Sequence, residues 1–509
     1  MQTSLKNIVF ILIFIVAGLA PTLASTATAK FEVSGWMPYW RSATSTLDVL
    51  PHLDLVTEVN PFVYTLKQDG TLVDNGKLQE EPWLSFIAAA KTKKVRVIPT
   101  IMSGSGDTIH ALLSNTKSRI ALEDAIVKEV KDKGYDGIDI DFEGKRYETR
   151  EYFSTFLKGL YQRMGKKWVM CTIESRTPIA DRYYGSETPE GAGLYANDLA
   201  AINKYCDRVR IMTYDQQGGD QKLSATAASS SRLYGPVADP VWVEKVVNLM
   251  TQSIDKNKLL IGIPTYGYEY AVTAYANNEY VYDILWTFNP GYATQIGQEY
   301  NVAPVRTFWG EMALAHVKDG GATSTRPVSI TPFAGLAAAA AASQYATAGN
   351  THVDFRLLVW PDAESIRQKI DLAKRLGVRG VSIFKWDGGE DQKMWDMLRQ
   401  VRNELPMVAS AAVPASSSGA TSFTRALSFG STGEDVRLLQ KVLNSDPATQ
   451  VATAGAGSPG SETTRFGPAT EAAVKKFQVK YGIATASSPG YGYVGPATRA
   501  KLNSLVPNV

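Results

Sequence analysis

The chain has 509 residues, 44% of them hydrophobic and 20% charged, with a formal net charge of +3. That length admits two to four domains, and the composition is that of an ordinary globular protein. So small a net charge gives no reason to expect nucleic acid as a partner. Lys6 precedes an apolar run from Ile8 to Ala20, followed by small residues with Ala27-Thr28-Ala29 as a cleavage site and Ala24 as a rival. This order predicts a signal peptide over residues 1–29. The run is short for a membrane span, although an uncleaved anchor is the other reading. No other segment reads as transmembrane, so the mature protein is expected to be secreted or wall-associated, with no membrane partner after cleavage.

From residue 31 to about 404, β-rich runs alternate with amphipathic stretches. Predicted strands are Phe31–Met37, Val56–Tyr64, Val95–Ile101, Gly137–Phe142, Trp168–Ile173, Arg208–Thr213, Leu259–Pro264 and Gly380–Lys385. Predicted helices between them are Trp83–Lys94, Arg119–Lys133, Glu151–Met164, Leu199–Tyr205, Val241–Lys256 and Ala363–Leu376. Such alternation implies a parallel sheet, and eight units imply a (β/α)8 TIM barrel. The stretch from Tyr268 to about Val359 is too long for a loop and predicts an inserted α+β subdomain over about 268–358. Within it, Gly320–Pro327 reads as an exposed loop and Gly335–Ser343 as an Ala-rich segment. The barrel domain is thus placed at 30–405, followed by an Ala-, Ser- and Pro-rich linker at 406–422. Residues 423–509 form a small helical domain, in which Gly467-Pro468-Ala469-Thr470 is echoed by Gly495-Pro496-Ala497-Thr498. Pro near the first turn of a helix loses no hydrogen bond.

Two cysteines, Cys171 and Cys206, are too few for a disulfide framework and read as buried thiols. The four histidines are scattered without metal-ligand spacing, so no metal or cofactor is expected.

The chemistry concentrates in residues 136–143, which carry Asp136, Asp139, Asp141 and Glu143. Side chains alternate along a strand, so Asp139, Asp141 and Glu143 share one face, with roughly 6–7 Å between neighbours. Ile138, Ile140 and Phe142 take the other face. A calcium loop would need a central Gly and hydrated flanks, which this run lacks. Crowded, buried carboxylates hold a proton near neutral pH, as a general acid must. In a barrel of this kind the active site lies at the C-terminal strand ends. Glu143 ends the fourth predicted strand, Met212-Thr213-Tyr214-Asp215 the sixth, and Lys385-Trp386-Asp387 the eighth.

The acidic run D-x-x-D-x-D-x-E resembles the signature of family 18 glycoside hydrolases, the chitinase-like enzymes. Met212-x-Tyr214-Asp215 and Trp386 are similar to two further strand ends of that family. Asn60 to Tyr64, Val359 to Arg367 and Gly377 to Ser382 resemble its spore-coat and cortex-lytic peptidoglycan hydrolase branch. Ser103 to Gly106 departs from the Ser-x-Gly-Gly of many chitinases, and Glu174 to Arg176 matches no family role. The tail resembles the type 1 peptidoglycan-binding domain, with Ser445–Thr464 longer than usual.

The resemblance implies a retaining, substrate-assisted hydrolase of β-1,4 bonds in N-acetylhexosamine polymers. In such enzymes the 2-acetamido group of the sugar attacks its own anomeric carbon. It further implies Glu143 as acid and then base, Asp141 as the group orienting the acetamide, Asp139 as its modulator, and Tyr214 as a hydrogen-bond donor to the acetamide. Asp215, Met212, Trp386, Tyr64 and Trp36 are the expected substrate-binding residues, Trp386 as an apolar floor; Tyr39 and Trp40 could stack on sugar with Trp36. The expected partner is peptidoglycan or a chitin-type polysaccharide, met by a monomer. The other readings are a chitinase acting on chitin oligomers and an inactive lectin-like protein.

Overall fold

The computed structural model describes residues 31–229, 232–276, 279–316, 352–403 and 422–506, less positions 424, 426, 430, 432 and 487–489, with six positions between 342 and 349. The expected signal peptide, the loop Gly320–Pro327 and nearly all of the expected linker lie outside the described residues, as does most of the Ala-rich segment.

Eight strands close on themselves. They are β1 (Glu32–Pro38), β2 (Glu58–Leu66), β3 (Thr100–Ser103), β4 (Gly137–Phe142), β5 (Trp168–Glu174), β6 (Arg208–Met212), β7 (Leu259–Pro264) and β8 (Gly380–Phe384). Each pairs in parallel with the next, and β8 pairs with β1. The barrel therefore has no free edge. Helices such as Trp83–Thr92, Thr116–Asp132, Arg150–Met164 and Ala363–Leu376 pack outside it.

The outward side chains of each strand meet these helices. On β4 they are Ile138, Ile140 and Phe142, all buried. Phe142 stacks on Phe156 at 5.7 Å between ring centroids and lies 6.2 Å from Phe153, both from the helix Arg150–Met164. Burying a side chain of this kind stabilises the fold by roughly 1.5–3 kcal/mol.

The barrel interior is charged. At its lower end Glu32 meets Arg208 (2.8 Å), Arg379 (2.9 Å) and Arg96 (3.2 Å). Burial raises the Glu32 pKa, but these guanidiniums outweigh it and hold the carboxyl below its ordinary range. Glu58 bonds Arg96 (2.9 Å) and Arg210, and Arg210 reaches Asp139 at 2.8 Å. A column of alternating charge thus rises from the closed end to the acidic row.

Between β7 and β8 the chain builds an antiparallel sheet in the order Tyr280–Phe288, Gly267–Ala274, Val353–Trp360, Met312–His316, Val305–Arg306, with the helix Pro290–Glu299 against it. Its tyrosine-rich core includes Tyr214 of the barrel rim, so this sheet forms one wall above the strand ends.

Cys171 of β5 and Cys206, just after the helix Leu199–Tyr205, form a disulfide with Cα atoms 5.9 Å apart. This corrects the expectation of two thiols. Both residues are buried, as expected, but 35 positions of sequence separation conceal that the helix returns its end to the strand.

Among its described residues the tail has three helices, Glu434–Asn444, Pro468–Lys480 and Pro496–Asn503, around its own apolar core. The echo in its sequence is structural. Gln440 donates to Thr470 (2.9 Å) and accepts from the Thr463 amide (2.6 Å); Gln478 donates to Thr498 (3.1 Å) and accepts from the Gly492 amide (2.7 Å). Each buried amide side chain brackets the start of the following helix, which satisfies both ends of the group.

Candidate active site

The acidic row sits where β4 leaves the barrel. Asp139 is wholly buried and accepts from Trp36 Nε1 (3.0 Å), Thr100 Oγ1 (2.8 Å) and Thr172 Oγ1 (2.9 Å), beside the Arg210 guanidinium. Asp141, one step higher, is 3% exposed, and its Oδ1 has no hydrogen-bond partner. Burial pushes its pKa far up, and the charges of Glu143 and Asp139 add to this. Glu143 is half-buried, its backbone amide fixed to the Ser103 carbonyl at 2.8 Å. Burial and then the Glu174 carboxylate raise its pKa, Lys145 opposes, and Asp215 adds to the rise. Two carboxyls that favour the protonated form therefore stand one above the other at the barrel mouth.

Gly144 follows with φ +63°, a conformation that suits Gly and turns the chain away directly after Glu143. Asp136 serves the backbone instead, accepting the Val97 amide at 2.8 Å.

From β6, Tyr214 is 7% exposed, and its ring stacks on Phe384 at 5.6 Å. Burial, then the nearby Asp141 and Asp215 charges, keep its hydroxyl protonated well beyond the ordinary range. Asp215 is exposed in the cleft, with φ +56°, and accepts from the Tyr268 hydroxyl (2.6 Å) and the Tyr266 hydroxyl. Met212 is half-buried against the same inserted sheet. Asp139, Asp141, Glu143, Tyr214 and Asp215 are thus brought together.

Three expected sugar contacts are not at the cleft surface. Trp36 is 1% exposed because its ring lies inside the barrel with its N–H on Asp139. Tyr64 is 2% exposed and points outward, its hydroxyl on Glu129 (2.7 Å) and Tyr135 (3.2 Å). Trp386 is fully buried, with its ring over Gly35, where a Cβ would come within 2.6 Å of it. Phe384, two residues earlier, is the half-buried ring at this strand end, in contact with Tyr214, Trp36 (5.8 Å), Phe62 (6.1 Å) and Tyr266 (6.0 Å). Trp40 is 51% exposed and meets Phe62 edge-on at 5.9 Å.

Sequence reasoning also missed Arg210, Tyr266, Tyr268, Lys145 and Glu174. The alternating tyrosines at 266, 268 and 270 were the available signal for one of these groups, since period two puts them on one face. Among the described residues, no group of three or more His, Cys, Asp or Glu side chains is placed to hold a metal ion.

Residues 34–391 match the model of glycosyl hydrolases family 18. The chain belongs to that family. Residues 432–502 match a peptidoglycan binding domain. The uncharacterized glycosylase YvbX of Bacillus subtilis is 28% identical over 207 residues, 39% of this chain and 55% of YvbX. The cortical fragment-lytic enzyme of Bacillus subtilis is 24% identical over 340 residues, 65% of this chain and 64% of that enzyme. The family 18 chain therefore spans between half and two thirds of the length of these relatives. The spore cortex-lytic enzyme SleL of Bacillus cereus shares the fold, with a TM-score of 0.52 and 17% identity over 73% of this chain and 74% of SleL.

Proposed function

We propose that the protein is a retaining hydrolase of β-1,4 bonds in N-acetylhexosamine polymers, that it acts by substrate assistance, and that its substrate is peptidoglycan. The observation that carries the mechanism is Asp141. A buried carboxyl whose surroundings keep it protonated, with one oxygen unpartnered, is a poor nucleophile but can hold a neutral amide. The attacking oxygen is then the substrate's own acetamide carbonyl, which Asp141 and the Tyr214 hydroxyl orient. Glu143 gives its proton to the glycosidic oxygen as the C1–O bond breaks and the acetamide oxygen bonds to C1. The resulting Glu143 carboxylate takes a proton from the water that attacks C1 and reopens the oxazolinium ring. Asp139, held by three donors beside the Arg210 guanidinium, lies directly beneath Asp141 on the inward face of β4 and fixes the base of the acidic row.

Peptidoglycan is favoured by the tail's family match and by the similarity to a cortical fragment-lytic enzyme. The same two findings support a wall-associated enzyme, with the tail raising its local concentration on the polymer. Purified peptidoglycan and chitin, digested side by side and followed by mass analysis, test this. Release of glycan fragments from peptidoglycan with N-acetylhexosamine at the new reducing end is expected. Cleavage of chitin alone would overturn the substrate assignment. Removal of residues 423–509 should weaken sedimentation with sacculi and spare hydrolysis of soluble glycans.

A further inference from the structure

Glu143 is flanked by two peptide groups, and each is held by a charged side chain that no family motif assigns. Lys145 donates through Nζ to the Phe142 carbonyl, on the near side. Glu174, at the end of β5, accepts the Gly144 amide through Oε1 at 3.1 Å, on the far side. Lys145 Nζ and Glu174 Oε1 are 3.6 Å apart, which closes a ring around the acid. The Lys145 side chain is wholly buried, with its ammonium 4.9 Å from the Phe153 ring centroid. Glu174 is fixed in turn, since Asn197 donates to its Oε2 at 2.7 Å and the Tyr195 hydroxyl to its backbone carbonyl at 2.8 Å. An ammonium taken out of water beside an acid needs a function or a partner to offset its desolvation, and here the partner reaches the same peptide turn.

We propose that Lys145 and Glu174 are positioning residues that clamp the turn carrying Glu143 and set the local charge against which it gives up its proton. This rests on reading Glu143 as the proton donor. The groups facing Glu143 are Asp141 from its own strand, Lys145, Glu174 from β5, and Tyr214 and Asp215 from β6. Within that set Lys145 is the cation, and it favours the carboxylate; Glu174 opposes it. Removing one or the other must therefore move the proton in opposite directions.

The test is the pH profile of kcat/KM on soluble, uncrosslinked peptidoglycan glycan strands, measured for the full chain. Glu174→Gln keeps the shape of the side chain and removes its charge, so the basic limb should move to lower pH by about one unit. Lys145→Met should move it to higher pH by about as much. The double variant should return the limb to near its wild-type position while kcat stays about 10-fold or more reduced, because the grip on both peptides is gone. Thermal unfolding identifies any variant that fails to fold, and Glu174→Gln alone then decides. Unmoved limbs, or shifts in the same direction, with Glu143→Gln inactive, overturn the clamp and leave the acid assignment standing. Activity retained by Glu143→Gln overturns both.

Discussion

Trp36 on β1 reaches through the barrel interior and places its indole N–H 3.0 Å from Asp139 on β4. The deepest carboxylate of the acidic row is therefore part of the barrel's internal scaffold. Its other holders come from β3, β5 and β6, as Thr100, Thr172 and Arg210. Four strands thus converge on one side chain of a fifth, and whatever disturbs the barrel's closure disturbs the site.

Arg210→Met should destabilise the fold by about 3–5 kcal/mol, because Asp139 and Glu58 would lose their shared cation in a dry interior. Urea unfolding at neutral pH measures this. A loss below about 1 kcal/mol would show that the charged column adds nothing to stability.

Glu143→Gln should reduce turnover by about 10²–10⁴, the usual worth of a general acid, and spare substrate binding. Single-turnover rates on glycan strands with their natural leaving groups, together with equilibrium binding, separate the two effects.

Hydrolysis should depend on the acetamide. Deacetylation of the sugar on the glycone side of the bond is expected to abolish cleavage, and a thiazoline analogue of the oxazolinium should bind at least about 10²-fold more tightly than substrate. Comparable cleavage of acetylated and deacetylated strands would argue for an enzyme nucleophile instead.

Phe384 and Trp386 should respond differently to truncation. Phe384→Ala removes the ring beneath Tyr214 and should raise KM while the protein stays folded. Trp386→Ala empties a fully buried site and should cost about 3–5 kcal/mol of stability. Denaturation and steady-state kinetics on the same pair of variants distinguish a cleft floor from a core anchor.

Asp239 caps the helix Pro240–Met250 by accepting the Val241 amide at 2.8 Å. Burial pushes its carboxyl up to about 6, against the opposing hydrogen bonds of Tyr234 and Val241. The folded state therefore holds this proton more tightly than the unfolded one, and the contribution to stability falls as pH rises from about 4 to about 6. Asp239→Asn keeps a capping side chain and removes the titration. Stability measured between pH 4 and 7 should flatten, with a gain of about 2–3 kcal/mol at pH 7.

The barrel and the acidic row were legible in the sequence because both are local. Alternation of period two marks the strands, and β4 and β7 were read at the boundaries they have in the structure. The helices Ser42–Val49, Gly106–Ser114, Gln221–Ser229 and Lys393–Asn403 were missed, the first three being rich in Ser, Thr or Gly. The misplaced sugar contacts have a different origin. Trp36 and Tyr64 stand on barrel strands whose two faces are both buried, so alternation alone does not say which face meets the cleft. Trp386 shares its parity with Phe384, but the regular strand ends at Phe384 and the chain folds Trp386 back over Gly35. The link between Lys145 and Glu174 requires knowing that β4 and β5 are neighbours, which no single segment reveals.

The disulfide between Cys171 and Cys206 closes an arc of chain that contains Glu174 and both side chains that fix it, Tyr195 and Asn197. A chain with reduced thiols holds that arc by hydrogen bonds and packing alone. Thiol pairs of this kind stay reduced in the cytosol and oxidise outside it. The bond ties both ends of that arc to each other, and Glu174, which accepts the Gly144 amide, lies three positions beyond one of the stapled cysteines.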